Sequence, residues 1–484
     1  MKVLLLNPPY LPYYSRQSRS PCVTKSGTLY YPYFLAYTTG ILDELDFDTK
    51  LLDAVVNNLS HEETIKEVKK FNPDLIVIET STPSIKNDIS IAKKIKRALP
   101  KSHVNLLGVH ATALPAETLK EAGIVDSICR GEYEYTVRDL AIAIKDKKSL
   151  NKILGLSFKR KNKITHNKPR PLLRDIDKLP FVSKVYKKHF GKEGIKKYFY
   201  SSLRWPQVTI LTARGCPHNC TFCNSPFKGS YRPRSPENVV KEFQFIKKEL
   251  PFVKEIMIED ETFPALKRRT IKICKLLIKK KVKLNWSCNA RVDTDLETLK
   301  IMKRAGARLL CVGFESVEQK SLDAIGKGTS KHIQNIFIKN IRKAKLLVNG
   351  CFILGLPGET KEDIQRTIEF AKKLNPDTAQ FYPLMVYPGT AAYEWAKKQK
   401  YIKTEDYSKW LTKEGHHNTV VSRSGLSNKE LVALCDLARK NFYLRASYLI
   451  PKIAQIISNP QEAKRTLKSG KTFFPYMKKV LLKK

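Results

Sequence analysis

The sequence predicts an α/β protein in which a doubly wound parallel sheet is followed by a partial barrel of six β/α units and a helical tail. Three observations predict this. A chain of 484 residues exceeds what one hydrophobic core serves, since single cores stop growing near about 250 residues. Short apolar runs alternate with amphipathic stretches in residues 1–146, and the alternation begins again at 205. Turn-forming and polar clusters close most of the runs, as they do where parallel strands end in ligand-binding loops.

In the first series the runs are Val3–Asn7, Lys50–Ala54, Leu75–Glu79, Val104–Val109 and Ser127–Arg130, with Glu62–Lys70 and Ile85–Ala98 as helices between them. Residues 1–146 thus read as a Rossmann-like domain. Gly-x-Gly-x-x-Gly does not follow its first strand, which argues against a dinucleotide. Residues 147–204 read as a connector with a hairpin across Gly155–His166 and joints at Pro171 and Pro180. The barrel is expected over 205–398, with strands Val208–Ala213, Glu255–Glu259, Lys283–Cys288, Arg308–Gly313, Cys351–Gly355 and Ala379–Met385. Its helices are Glu237–Leu250, Leu266–Lys280, Leu296–Ala305, His332–Leu347 and Lys361–Leu374. Six units make a partial barrel, because closure takes eight. Residues 399–484 are basic and mostly helical, ending in Lys483-Lys484.

Lys and Arg number 89 against 46 Asp and Glu, a net charge of +43 that suits anionic partners. The lysines are spread along the whole chain. The apolar start, Val3-Leu4-Leu5-Leu6, is too short for a signal peptide, and no run reaches the roughly 20 residues of a membrane span. Ten cysteines without export machinery point to a reducing cytoplasm, where grouped thiols usually mean metal or redox chemistry. The remaining cysteines read as buried packing, with Cys22 and Cys129 near the first crevice as exceptions.

Three thiols stand together in Arg214-Gly215-Cys216-Pro217-His218-Asn219-Cys220-Thr221-Phe222-Cys223. Cys-x3-Cys-x2-Cys holds three irons of a cubane and leaves the fourth open to a chelating small molecule. Zinc would want a fourth ligand, for which His218 is the nearby candidate. This motif at the head of six β/α units resembles the radical S-adenosylmethionine (SAM) superfamily. The resemblance implies a [4Fe–4S] cluster on Cys216, Cys220 and Cys223, SAM chelated at the open iron, and cleavage of its sulfonium to a 5′-deoxyadenosyl radical. It further implies Phe222, Arg291, Glu315, Gly355 and Gly358 as SAM-side contacts and Asp260 and Glu261 as catalytic carboxylates. Surface ion pairing for Arg291 and Glu315, and helix N-terminal charge for Asp260 and Glu261, are the structural alternatives.

A doubly wound domain ahead of such a barrel resembles the cobalamin-binding class of that superfamily. Tyr10, Ser81, Thr82, Gly108, His110 and Gly131 are carried over as corrinoid contacts. The turn after the first strand is Asn7-Pro8-Pro9-Tyr10 rather than Asp-x-His-x-x-Gly, and the resemblance then implies a cobalt without a histidine lower ligand, that face covered by an aromatic such as Tyr10 or Tyr13, with His110 as a ligand the alternative. Strings such as Tyr31-Pro32-Tyr33-Phe34-Leu35-Ala36, Trp286-Ser287-Cys288-Asn289-Ala290 and Phe352–Thr360 resemble the hopanoid cyclitol-forming enzymes and the anaerobic magnesium-porphyrin cyclases. The cluster loop continues Cys223-Asn224-Ser225-Pro226, unlike the hopanoid enzymes.

The function expected is methylation, or ring formation or rearrangement, of a small-molecule or lipid-linked hydrophobic metabolite. A flavodoxin- or ferredoxin-type electron donor and peripheral association with the inner membrane face go with it. Nucleic acid is not the expected partner. The alternatives are an RNA-modifying methylthiotransferase-like enzyme, a radical SAM enzyme with a vestigial corrinoid domain, and a non-catalytic carrier. The N-terminal domain lacks the extra cysteine trio of the methylthiotransferases.

Overall fold

The computed structural model describes residues 1–160, 163–225 and 227–482. Lys161-Asn162 within the expected Gly155–His166 hairpin, Pro226 of the cluster loop and the terminal Lys483-Lys484 lie outside them. The chain forms two compact units.

The first unit comprises Met1–Thr24, Leu29–Tyr198 and Glu405–Gly415. Its strands are β1 (Lys2–Asn7), β2 (Asp48–Asp53), β3 (Leu75–Thr80), β4 (His103–Gly108), β5 (Ser127–Cys129), β6 (Leu156–Arg160) and β7 (Lys163–His166), and the sheet order is β2-β1-β3-β4-β5-β6-β7. The first five pair in parallel; β6 and β7 join antiparallel. Every residue of β3 is buried, as a strand covered by helices on both faces requires. On one face Leu4, Leu6, Ile76, Ile78, Val104 and Leu106 pack against the helix Ile85–Ala98. The hairpin expected in a connector is therefore the edge of this sheet, its apolar side completing β5. The segment Glu405–Gly415, expected with the tail, packs here instead: Tyr407 meets His110 edge-on at 5.0 Å and Asp406 pairs with Lys86.

The second unit comprises Lys25–Thr28, Phe199–Thr404 and His416–Lys484. Its strands are β8 (Gln207–Ile210), the short β9 (Ala213–Arg214) and β10 (Arg232–Pro233), then β11 (Glu255–Ile258), β12 (Asn285–Ala290), β13 (Ala307–Glu315), β14 (Leu347–Leu354) and β15 (Thr378–Pro383). Six of them form one parallel sheet in the order β15-β14-β13-β12-β11-β8, so each β/α unit lies beside its sequence neighbour. The expected strands and helices occur within a few residues of their predicted bounds. The expected first strand is interrupted at Leu211-Thr212 and resumes as β9. The helix Lys361–Leu374 is set by a capping box in which Thr360 and Asp363 satisfy each other's backbone N–H. At the amino end of the strands, Arg308 joins Glu255 at 2.9 Å and Glu462 at 3.3 Å, all three buried. That end of a β/α barrel carries stability, and the carboxyl end is free for chemistry.

Candidate active site

The cluster loop leaves the carboxyl end of β8 and is tied shut at its base. β9 pairs antiparallel with β10, setting Arg214 opposite Arg232. Inside this neck Gly215 has φ +80°, and a Cβ there would stand 1.6 Å from the Ser230 carbonyl oxygen and 2.5 Å from that of Phe227. Only glycine fits. The Gly229 N–H donates to the Cys216 carbonyl at 2.8 Å, and the Ser225 N–H approaches Cys223 Sγ at 3.4 Å. Cys220 is 9% exposed; Cys216, Phe222 and Cys223 are half-buried. Burial, with Cys223, Glu261 and Cys220 nearby, pushes the Cys216 thiol above its usual range.

Asp260 lies at the carboxyl end of β11 and is fully buried. Its Oδ1 accepts the N–H of Thr212 at 2.6 Å and of Ala213 at 3.0 Å, and its Oδ2 accepts Thr212 Oγ1 at 2.6 Å. Arg269 donates to the Thr212 carbonyl at 2.6 Å and to the Arg234 carbonyl at 2.9 Å. This geometry gives Asp260 a positioning task beneath the cluster loop, through the strand interruption at 211–212, with both oxygens engaged. Glu261 is half-buried and accepts Ser225 Oγ at 2.6 Å, directly within the loop.

Opposite the cysteines stands a turn that sequence reasoning missed. In Ile325-Gly326-Lys327-Gly328-Thr329 both glycines have φ +62°. The Ile325 carbonyl accepts the Thr221 N–H at 3.0 Å, and the Gly326 carbonyl lies 3.8 Å from Cys220 Sγ. Lys327 Nζ is buried against Glu315 Oε1 at 2.7 Å. Burial opposes its charge, but Glu315 and Cys220 outweigh that and hold the ammonium protonated. Glu315 itself sits at φ +62° where the β13–β14 register shifts, a bulge that re-aims its side chain. Arg291, after β12, donates to the Lys327 carbonyl at 2.8 Å and to Asp293 at 3.1 Å. Burial first, and then the charges of Arg291 and Lys327, lower the pKa of His218. Arg291 and Glu315 are thus buried members of one network rather than surface ion pairs.

At the end of β14, Gly355 has φ +87°; its N–H and that of Leu356 both donate to Glu359 Oε2 at 2.9 Å, while Ser316 Oγ donates to Glu359 Oε1 at 2.7 Å. Gly358 has φ +80° and open space where a Cβ would be. Thr329 Oγ1 is buried with no hydrogen-bond partner.

In the first unit the order 2-1-3-4-5 puts the topological switch point between β1 and β3, whose carboxyl ends carry Tyr10 and Ser81-Thr82. Arg16 is fully buried there, bound to Asp88 at 2.6 Å, Asn7 at 3.0 Å and the Pro8 carbonyl at 2.6 Å. Ser81 Oγ lies 2.8 Å from Tyr14 OH and 2.7 Å from Ser84 Oγ, and Ser84 donates to Asp88. Ser81 is therefore engaged within the fold. Tyr10 meets Tyr14 edge-on at 4.8 Å. Gly108 has φ +114°, and a Cβ there would stand 2.2 Å from the Thr80 carbonyl oxygen. His110 Nδ1 lies 3.3 Å from Thr82 Oγ1, and burial pushes its pKa down to about 4, keeping the ring neutral. Gly131, after β5, has open space at its Cα. Glu79 is buried, its Oε2 has no partner, and burial pushes its carboxyl up to about 8.

These donor sets fit the implied groups. Three thiols on one clamped loop, beside a fixed ammonium, suit an anionic thiolate cubane. Among the described residues no group of three His, Cys, Asp or Glu is drawn together tightly enough for a single metal ion. Hydroxyl, imidazole and glycine backbone along the carboxyl edge of the first sheet suit a macrocycle fringed with amides.

The radical SAM superfamily profile matches residues 210–371, and the B12 binding domain profile matches residues 19–141. An uncharacterized methyltransferase of Pyrococcus horikoshii, PH0819, is 32% identical over 94% of this chain and 95% of its own length. The anaerobic magnesium-protoporphyrin IX monomethyl ester cyclase of Cereibacter sphaeroides is 29% identical over 78% of this chain, which spans 62% of that protein. The structure of the radical SAM methyltransferase TsrM from Kitasatospora setae, with cobalamin and a [4Fe–4S] cluster bound, superposes with a TM-score of 0.69. It covers 92% of this chain and 89% of its own at 16% identity, a likeness of fold.

Proposed function

This chain belongs to the radical SAM family that carries a B12-binding domain, and from that premise we propose how its own residues serve the reaction. It is an enzyme of the cobalamin-dependent methyltransferase or cyclase type, and its substrate is a small molecule. When bound, the cluster, SAM and cobalamin supply one-electron cleavage of a sulfonium and methyl or hydrogen-atom chemistry at carbon.

Cys216, Cys220 and Cys223 would hold the [4Fe–4S] cluster, which would supply the electron that cleaves SAM. The observation that carries this reading is the clamped loop: its base is closed by β9 and β10, its neck admits only glycine, and its far side rests on the Gly326-Lys327-Gly328 turn. Asp260 and Arg269 fix the entry to the loop, and Glu261 orders it through Ser225. Lys327 holds Glu315 in one rotamer, and Arg291 braces the turn that carries Lys327. Glu315, Arg291, Gly358, Phe222 and Gly355 are the residues that would hold SAM. Tyr10, Thr82, Gly108, His110 and Gly131 would hold cobalamin, with Ser81 supporting them, and burial keeps the His110 ring neutral.

The substrate is a hydrophobic or lipid-linked metabolite. Support comes from the cyclase relative, whose name specifies a large porphyrin ester. No helix among the described residues is long and apolar enough to cross a membrane, and docking at a membrane face is the arrangement that brings such a substrate within reach. The net charge of +43 also suits an acidic flavodoxin- or ferredoxin-type donor.

The test is anaerobic reconstitution with iron, sulfide and cobalamin, followed by measurement of 5′-deoxyadenosine release and of retained corrinoid. A cubane signal abolished in the Cys216→Ala, Cys220→Ala and Cys223→Ala variants is expected. A signal that survives all three substitutions would sink the reading.

A further inference from the structure

Nine of the seventeen strongly exposed large apolar side chains among the described residues fall between Leu444 and Leu482. They are not scattered. The helix Ala446–Ser458 has no buried residue, and its outward arc carries Leu449, Ile450, Ile453 and Ile457, the last two 55% and 80% exposed. Its half-buried side carries Tyr448, Lys452, Gln455 and Ile456: Tyr448 packs on Phe442 and Tyr443, and Lys452 bonds Gln455. An amphipathic helix normally buries its apolar stripe against the core. This one leaves four of its large aliphatic side chains outside.

The next helix, Pro460–Leu482, repeats the theme with charge. Lys464, Leu467, Lys471, Phe474, Lys478 and Leu481 follow at spacings of three and four, one exposed stripe of alternating ammonium and hydrocarbon. From Arg445 to the last residue the sequence has ten Lys and Arg and one acid, Glu462. That acid is 3% exposed and spent on Arg308 and Arg465. The outer surface of these two helices therefore carries no counter-charge of its own.

We propose that the helices Ala446–Ser458 and Pro460–Leu482 form a docking surface for an anionic phospholipid bilayer. This rests on the reading of a membrane-docked enzyme and names the element and the lipid chemistry that serve it. The isoleucine arc enters the boundary between headgroups and acyl chains, lying in the plane of the membrane. The lysines of the second stripe extend along their own hydrocarbon stems to phosphate oxygens, while Leu467 and Phe474 fill the spaces between. A protein partner of ordinary composition would bring its own mixed charges and would be matched by some acid on this surface. A sheet of phosphates needs none.

The test is flotation of the full, reconstituted chain with vesicles of phosphatidylcholine alone or of equal parts phosphatidylcholine and phosphatidylglycerol. Binding to the mixed vesicles, weakened by salt and at least about tenfold weaker on phosphatidylcholine, is expected. Replacing Lys464, Lys471 and Lys478 together by Ala lowers it by about a hundredfold. Ile450→Ser with Ile453→Ser and Ile457→Ser lowers it by a similar factor, and because these side chains are exposed the helical circular dichroism stays unchanged. A folded wild type that ignores mixed vesicles at low salt, or variants that bind as well as it does, overturns the proposal. So does a wild-type dimer without vesicle binding that the isoleucine variant converts to monomer, which assigns the face to a second copy. Iron content and 5′-deoxyadenosine release are read on the same samples: their failure with flotation intact sinks the catalytic reading and leaves this one standing.

Discussion

Lys327→Met offers a quantitative test of the SAM-side network. The ammonium and the Glu315 carboxylate meet at 2.7 Å with side-chain exposures of 9% and 7%. Removing the cation leaves a buried carboxylate without its partner, which costs about 3–5 kcal/mol. For a folding unit of this size, about 2–4 °C is lost per kcal/mol, so the melting temperature falls by on the order of 10 °C. Glu315→Gln alone leaves the ammonium against an amide and costs less. In the double variant neither charge remains, so the penalty of Lys327→Met is largely recovered, with a coupling of about 2 kcal/mol or more. Calorimetry of the four proteins under anaerobic conditions closes the cycle. Additive shifts, or a Lys327→Met protein melting within about 2 °C of wild type, would refute the idea that this pair is one buried unit.

Three further outcomes follow from the geometry. Gly215→Ala drives a Cβ into two backbone carbonyls and is expected to cut iron and sulfide retained after reconstitution to a small fraction; full retention would show that the neck gives way. Asp260→Ala strands the Thr212 and Ala213 N–H groups at a cost of about 2–4 kcal/mol and is expected to loosen the cluster, read as faster iron release to a chelator with the secondary structure intact. The Glu79 carboxyl titrates at about 8 when folded, above its ordinary range. The folded state holds a proton that the unfolded chain releases, so this residue's contribution is fully present at low pH and is lost as pH rises from the ordinary range through 8. Glu79→Gln is therefore expected to stabilise at pH 8.5 by a few kcal/mol and to change little at pH 5, as measured by urea unfolding; a pH-independent effect would contradict it.

The sheet periodicities and the cluster loop were legible because they are local signals. Fully buried parallel strands read as unbroken apolar runs, and Cys-x3-Cys-x2-Cys is written in consecutive residues. What was not legible was long-range pairing. Lys327 follows a short helix rather than a strand, and its worth comes from Glu315 twelve residues earlier and Cys220 107 residues earlier. Arg16 lies in an irregular loop and acquires meaning only beside Asp88 on another element. The hairpin at 156–166 alternates as any edge strand does, and nothing in it names the sheet it will join. The sequence marks Asp260 as a carboxylate at a strand end, but its engagement by Thr212 depends on a break after β8 that the apolar run conceals.

The short ladder joining Arg214 to Arg232 matters beyond holding a shape. An untethered segment of this length would pay about 2.5 kcal/mol in chain entropy to bring its ends together. The backbone pairing of Arg214 with Arg232 offsets part of that cost independently of the thiols. A loop tied in this way loses less freedom when its thiols take up iron, an advantage of up to about two orders of magnitude in affinity over the same cysteines on a slack chain.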